Sequence, residues 1–205
     1  MLVKEWTILE VFSRKPWEGL TFGQVKERSK NKSDNYVFST LKKYVRLGVL
    51  KEKKYGNVIV YSLAHNEISV RIMSFVSEYK TQKMEYLPHK NIEKLMRGIP
   101  TSFFTFIITG SYAEKKQTKK SDLDVVLICD NGSNIKKILL SLKDEGELMI
   151  PRAHPYVFTE GQFFQMLVNS EENYGKEIAR KHLIVSGAES FYRILFRAID
   201  NGFKG

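Results

Sequence analysis

Cysteine is almost absent from this chain: of 205 residues, only Cys129 carries a thiol. A single thiol excludes an internal disulfide framework and a zinc site built on several cysteines. No apolar run approaches the roughly 18–20 residues that a membrane span needs. The N-terminus lacks the apolar stretch of a signal peptide. These absences predict a cytoplasmic protein with no membrane partner. Internal repeats and low-complexity segments are missing too. What remains is enough for a core: 42% of residues are hydrophobic and 12% aromatic, which excludes wholesale disorder. The length allows one large domain or two small ones.

The formal net charge is +10, unevenly spread. Residues 1–65 hold 13 Lys and Arg against 6 Asp and Glu, whereas residues 66–205 hold 20 against 17. A basic patch on one small unit points to a polyanion, nucleic acid first. A solvated lysine-rich surface is the competing reading.

Apolar spacing predicts a first helix over residues 3–13, ended by Pro16 and Gly19. Thr21 with Gln24 forms a capping-box pattern at the start of a second. A third runs over residues 35–47, with Val37, Leu41, Tyr44 and Val45 on the buried face. Its outer face holds Asn35, Tyr36, Ser39, Thr40, Lys42, Lys43 and Arg46, groups suited to phosphates and base edges. Two strand-like runs then flank a Gly56-Asn57 turn, a hairpin whose tip carries Lys53 and Lys54. Over residues 3–64 this arrangement resembles a winged helix-turn-helix domain, most closely in the phrase running from Leu41 to Leu50. The resemblance implies DNA binding through the third helix and the hairpin.

Residues 66–100 read as a helical connector, with one helix over 67–83 and a short one over 91–97. The first could join two domains or pair with its twin in a homodimer.

The chemistry lies further on. Residues 103–109 form an apolar, β-branched strand that runs directly into Gly110-Ser111. Ten residues later come Asp122-Leu123-Asp124 and a second apolar strand. Residues two apart on a strand share a side, so Asp122 and Asp124 aim at one point. Two close carboxylates repel unless a cation lies between them, and hard oxygen ligands suit Mg²⁺ or Mn²⁺. Gly110 permits close approach of a phosphate and Ser111 offers it a hydroxyl. Lys115, Lys116, Lys119 and Lys120 can neutralise phosphate charge.

This Gly-Ser, ten-residue gap, Asp-x-Asp pattern resembles the polymerase β-like nucleotidyltransferases, in their minimal prokaryotic, archaeal-type branch. The resemblance implies transfer of a nucleoside monophosphate from an NTP to an acceptor. In that transfer Gly110 and Ser111 would hold phosphates, and Asp122 and Asp124 would hold metal. The family adds a third carboxylate on a later strand. The next strand expected here, over residues 148–158, contains no acid. Glu147 at its edge is the best substitute and Glu145 lies further off. His154 stands where an acid is expected, as a base, a ligand or a structural residue. Asp130 reads as a turn residue.

The expected fold is thus α+β. A winged helix over residues 1–65 and a connector over 66–100 precede a nucleotidyltransferase-like domain over 101–205, with a small mixed sheet flanked by helices. Three functions follow. The first is a metal-dependent nucleotidyltransferase steered by DNA binding. The second is a transcription regulator whose fold only senses nucleotide or metal. The third is an antitoxin-like module with a toxin-type protein partner.

Overall fold

The computed structural model describes residues 5–205; Val3, at the predicted start of the first helix, lies outside them. Helix α1 (Trp6–Ser13) buries Ile8, Leu9, Val11 and Phe12. Strand β1 (Leu20–Thr21) follows, too short to leave a pattern in the sequence. Helix α2 (Phe22–Ser29) opens with the predicted capping box: the Gln24 amide donates to Thr21 Oγ1 at 3.3 Å, and the Thr21 amide to Gln24 Oε1 at 2.9 Å. Such a cap contributes about 1 kcal/mol. Ser33 caps α3 (Asp34–Arg46) by accepting from the Tyr36 amide at 3.3 Å. Strands β2 (Leu50–Tyr55) and β3 (Val58–Leu63) form the hairpin, with Gly56 at φ +57° in its turn. β1 pairs with β3, so the first sheet has the order β1-β3-β2.

Helix α4 (Glu67–Gln82) starts at Asn66, which caps the Ser69 amide at 3.0 Å. It packs against α1 on one side. After α5 (His89–Arg97) comes the second sheet, formed by β4 (Phe104–Ile108), β5 (Leu123–Cys129), β6 (Ala153–Thr159) and β7 (Leu183–Ser186). Its order is β6-β5-β4-β7, with β5 and β6 parallel and β4 antiparallel to both β5 and β7. The remaining helices are α6 (Gly110–Ala113), α7 (Ile135–Glu147), α8 (Glu160–Val168), α9 (Tyr174–Arg180) and α10 (Ala188–Asp200). The result is a mixed α+β fold, as expected.

The strand predicted over residues 148–158 begins only at Ala153. Ile138, Leu142 and Gly146 continue one buried helical face, so α7 extends through Glu147. Pro155 sits within β6 because β6 is an edge strand, where a missing N–H is tolerated.

Period-two alternation gives the second sheet two apolar faces. Phe106, Ile108, Val125 and Leu127 pack in one cluster with Ile92 and Leu95 of α5 and Ile138 and Leu142 of α7. Ile107, Val126, Ile128 and Ile184 pack in the other, with Phe163, Phe191 and Leu195. The second cluster continues without a break through Met73 and Val76 of α4 to Ile8 and Phe12 of α1. Polar contacts fix α4 to α10: Ser77 and Tyr192 share a buried hydrogen bond of 2.7 Å, and the Ala188 amide donates to Glu78 at 2.8 Å. Residues 67–83 are therefore largely covered by α1, β7 and α10. Ile68, Arg71, Phe75 and Gln82 remain outward.

Candidate functional site

β4 delivers the chain to Gly110 at the sheet edge, and antiparallel β5 begins beside it. Thr109 donates its amide to the Asp124 carbonyl at 3.0 Å, which locks the two strand ends together. Gly110 has φ +62°, and a Cβ there would lie 2.2 Å from Asp124 Oδ2. Glycine is required twice over, by backbone conformation and by space. Ser111 follows in α6, a single turn of four residues, and its hydroxyl makes no hydrogen bond among the described residues. One turn is too short to supply much of a helix dipole.

On β5, Leu123 is fully buried and Asp124 half-buried, while Asp122, the residue before the strand, is exposed. The alternation is as predicted. Parallel pairing with β6 sets His154 opposite Asp124, with Nδ1 3.5 Å from Oδ1. Burial raises the Asp124 pKa above the ordinary carboxylate range. His154 opposes that rise, while the charges of Asp122 and Glu177 add to it.

A cavity of about 150 Å³ opens against Asp124, lined by Thr109, Gly110, Tyr156, Tyr174, Glu177 and Lys181. Tyr174 hydroxyl and Thr109 Oγ1 are 3.2 Å apart, and burial pushes the Tyr174 phenol up to about 12. The rings of Tyr156 and Tyr174 pack at 4.8 Å between centroids. The sequence reading missed Glu177, Lys181 and Tyr174. A signal was present: positions 174, 177 and 181 stand at i, i+3 and i+7, one helical face.

Glu147, the tentative third acid, ends α7 and is exposed outside this cavity. The position is a correction that follows from the late start of β6. Glu145 is paired with Lys94. The basic loop is ordered by a Thr118–Ser121 turn, with the Thr118 amide donating to Ser121 Oγ at 2.9 Å. Lys116 pairs with Glu114 at 3.3 Å. Lys115 lies over the Tyr86 ring at 5.6 Å, while Lys119 and Lys120 are exposed. None of these four lysines lines the cavity at Asp124.

Among the described residues no group of three or more His, Cys, Asp or Glu side chains is arranged to hold a metal. Asp122 and Asp124 alone are an all-oxygen pair whose mutual charge is felt in Asp124's raised pKa. That donor set fits Mg²⁺, which uses one or two carboxylates and completes its shell with substrate phosphates and water.

In the N-terminal unit, Asn35, Ser39 and Arg46 are exposed on α3, with Lys53 and Lys54 exposed on β2. Thr40, expected on the outer face, is 3% exposed. It stands three residues after Val37 and four before Tyr44, so it belongs to their buried face. Tyr36 is half-buried. Lys42 pairs with Glu52 at 2.7 Å and Lys43 with Glu5 at 2.6 Å.

Residues 104–185 match the family model of the nucleotidyltransferase domain. The matched span runs from β4 to β7 and includes Gly110, Ser111, Asp122 and Asp124. Among curated proteins, none matches the chain. A solved structure described as a toxin-antitoxin with AMP-PNP aligns at TM-score 0.39 and 13% identity, over 56% of this chain and 87% of that one.

Proposed function

We propose that the protein transfers a nucleoside monophosphate from an NTP to an acceptor, and that its N-terminal unit is a DNA-binding winged helix. The observation that carries the first part is the close seating of Gly110 against Asp124 within the segment that matches the nucleotidyltransferase domain. Gly110 and Ser111 lie where phosphates would meet the backbone and a hydroxyl with no partner. Asp122 and Asp124 would hold Mg²⁺ or Mn²⁺. Such an ion, when bound, stabilises charge on the phosphates and lowers the pKa of an acceptor hydroxyl. Glu177 is our assignment for the acid that β6 lacks, since it shares the Asp124 cavity. Its role is to take the proton of the acceptor hydroxyl. Tyr156 and Tyr174 wall the cavity and limit water around the reacting groups.

The test is incubation with α-labelled NTPs, Mg²⁺ or Mn²⁺, and acceptors that include tRNA and the protein itself. Label transfer lost in both Asp122→Asn and Asp124→Asn supports the reading. Absence of transfer with every acceptor, together with nucleotide binding, supports a second reading: a regulator that senses nucleotide through a non-catalytic site. His154 in place of the expected acid on β6 is the observation that favours it.

For the N-terminal unit, support comes from three helices followed by a hairpin, with the sheet order β1-β3-β2. Arg46, Lys53 and Lys54 have no carboxylate partner among the described residues. A duplex-binding assay over a range of salt tests it, because phosphate contacts give a steep linear fall of log K with log salt.

A further inference from the structure

A second cavity is larger than the one at Asp124. It is a cleft of about 760 Å³ between the helices of the N-terminal half and the segments that follow α6 and α9. Arg14, just after α1, and Lys80 and Lys83, at the end of α4, come from one side. Lys115 from the loop after α6, with Arg180 and Lys181 at the end of α9, come from the other. Three of these six cations are already paired, Lys181 with a carboxylate, Glu114, that also lines the cleft. Lys80 pairs with Glu10 at 3.1 Å, Arg180 holds Glu172 at 2.7 Å, and Lys181 is 3.3 Å from Glu114. The other three, Arg14, Lys83 and Lys115, are exposed and have no carboxylate partner among the described residues. Glu85 is the one lining carboxylate that is likewise unpaired.

Two further features describe the ligand. Tyr86 lines the cleft with its hydroxyl fixed, donating to the Tyr112 carbonyl at 3.1 Å. Its ring is thereby held in place, with Lys115 over it at 5.6 Å, so a base that stacks there displaces or joins that lysine. Lys181 also lines the cavity at Asp124, so the two spaces share a wall. A cavity of this size holds a ligand of one or two nucleotides. Separated cations from three elements, with a fixed aromatic ring, suit a chain of phosphates and bases better than one compact anion.

We infer that this cleft binds the end of a single-stranded nucleic acid and presents it as the acceptor to the nucleotide at Asp124. The inference rests on the transferase reading above for the word acceptor, but not for the binding. The reaction would join the strand's terminal hydroxyl oxygen to the α-phosphorus of the NTP. The bond from that phosphorus to the β-phosphate oxygen breaks, pyrophosphate leaves, and Glu177 takes the hydroxyl proton. The N-terminal helices would then form half of the acceptor site.

The test uses the full chain and fluorescein-labelled single strands of about six nucleotides, short enough for one site, followed by anisotropy. Arg14→Glu and Lys83→Glu should each weaken binding about fivefold to tenfold at moderate salt. Both should leave Mg²⁺-dependent binding of a fluorescent ATP analogue within twofold. Lys53→Glu with Lys54→Glu on the hairpin should leave the short strand's affinity within twofold. Unchanged affinity in the cleft variants overturns the proposal. So does an equal loss in the hairpin variant, which would place the strand on the hairpin. An acidic peptide that binds as tightly, and weakens with the same two changes, also overturns it in favour of a protein ligand. Loss of ATP binding in Asp124→Asn, with strand binding kept, leaves the cleft standing. If strand binding and ATP binding both persist but no strand is extended, the acceptor role fails and the site remains.

Discussion

The surface of α3 and the pocket at Asp124 hold charge in opposite ways. On and around α3, opposite charges have met: Lys42 with Glu52, Lys43 with Glu5, and Lys26 with Asp34 at 2.5 Å. At Asp124 burial raises the carboxyl pKa, the like charges of Asp122 and Glu177 add to that rise, and His154, 3.5 Å away, opposes it. Exposed pairs of the first kind contribute little to stability, typically under about 1 kcal/mol. Crowded carboxylates of the second kind cost stability, so a fold that keeps them has a use for them. The difference teaches that total charge was a poor guide to the site. On α3 Lys42 and Lys43 are paired, although residues 1–65 keep 13 Lys and Arg against 6 Asp and Glu, whereas the nearly balanced remainder gathers carboxylates at one point.

The sharpest way to break this contrast is to relieve the crowding. Asp124→Asn removes the central carboxylate with little change of shape. If that charge serves transfer, label incorporation should fall about a thousandfold, the several kcal/mol a metal-bound phosphoryl centre supplies. The folded state should be no less stable than wild type, because a repulsion is lost. A variant that melts earlier yet keeps transferring label would show that the carboxylates are structural and erase the contrast.

Gly110→Ala leaves every charge in place and moves one. The added Cβ would lie 2.2 Å from Asp124 Oδ2, at a φ of +62° that alanine resists. Asp124 must shift, and a displacement near 1 Å costs transfer about a hundredfold. The melting temperature should fall by a few degrees. Transfer at the wild-type rate would mean that the position of Asp124 is not critical.

The wall of the cleft should respond to acid through His182, one of its lining residues. His182 donates Nδ1–H to the carbonyls of Ile178 and Ala179 at 3.0 Å and packs against Phe191. Burial pushes its pKa from 6.5 down to about 4. The unfolded chain therefore takes up this proton first as pH falls. Stability is unaffected above the unfolded value and is lost between about pH 6.5 and 4. Between pH 7 and 5 the loss is about 2 kcal/mol, readable in urea melts. His182→Gln should flatten that dependence. A wild-type curve no steeper than that of the variant would rule out His182 as its source.

How much of this was legible in the sequence depends on how far apart the partners lie. Thr21 with Gln24 and Thr159 with Gln162 are three residues apart, and both capping boxes are present. Gly110, Ser111, Asp122 and Asp124 lie where β4 ends and β5 begins, joined by one loop, so their spacing carried the geometry. Glu177 comes more than fifty residues after Asp124, on a helix reached only after β6 and α8. Its helical spacing with Tyr174 and Lys181 marked a face without saying what that face meets. The same limit hid the pairing of Lys43 with Glu5, 38 residues away. Thr40 failed for a different reason. Period 3.6 placed it beside Val37 and Tyr44, but a polar side chain was assigned to the polar face. The late start of β6 was obscured because Leu148, Met149 and Ile150 are apolar enough to read as strand, while an edge strand with its own proline leaves a weak pattern.

The finest test lies on the hairpin, where a paired and an unpaired lysine can be compared on one surface. Lys54 is exposed and has no carboxylate partner among the described residues. If duplex DNA lies along α3 and β2, Lys54→Ala should remove one released counterion and make the slope of log K against log salt shallower by about 0.9. Lys42 is already neutralised by Glu52, 2.7 Å away, so Lys42→Ala should change that slope by less. Glu52→Gln frees Lys42 and should therefore tighten duplex binding about threefold while steepening the slope. Equal slopes for both lysine variants, with no gain from Glu52→Gln, would mean that the Lys42–Glu52 pair opens at no cost when DNA arrives. Charge settled within the N-terminal unit would then be as available as charge left free, and the contrast with the carboxylate pocket would hold for only one of its two sides.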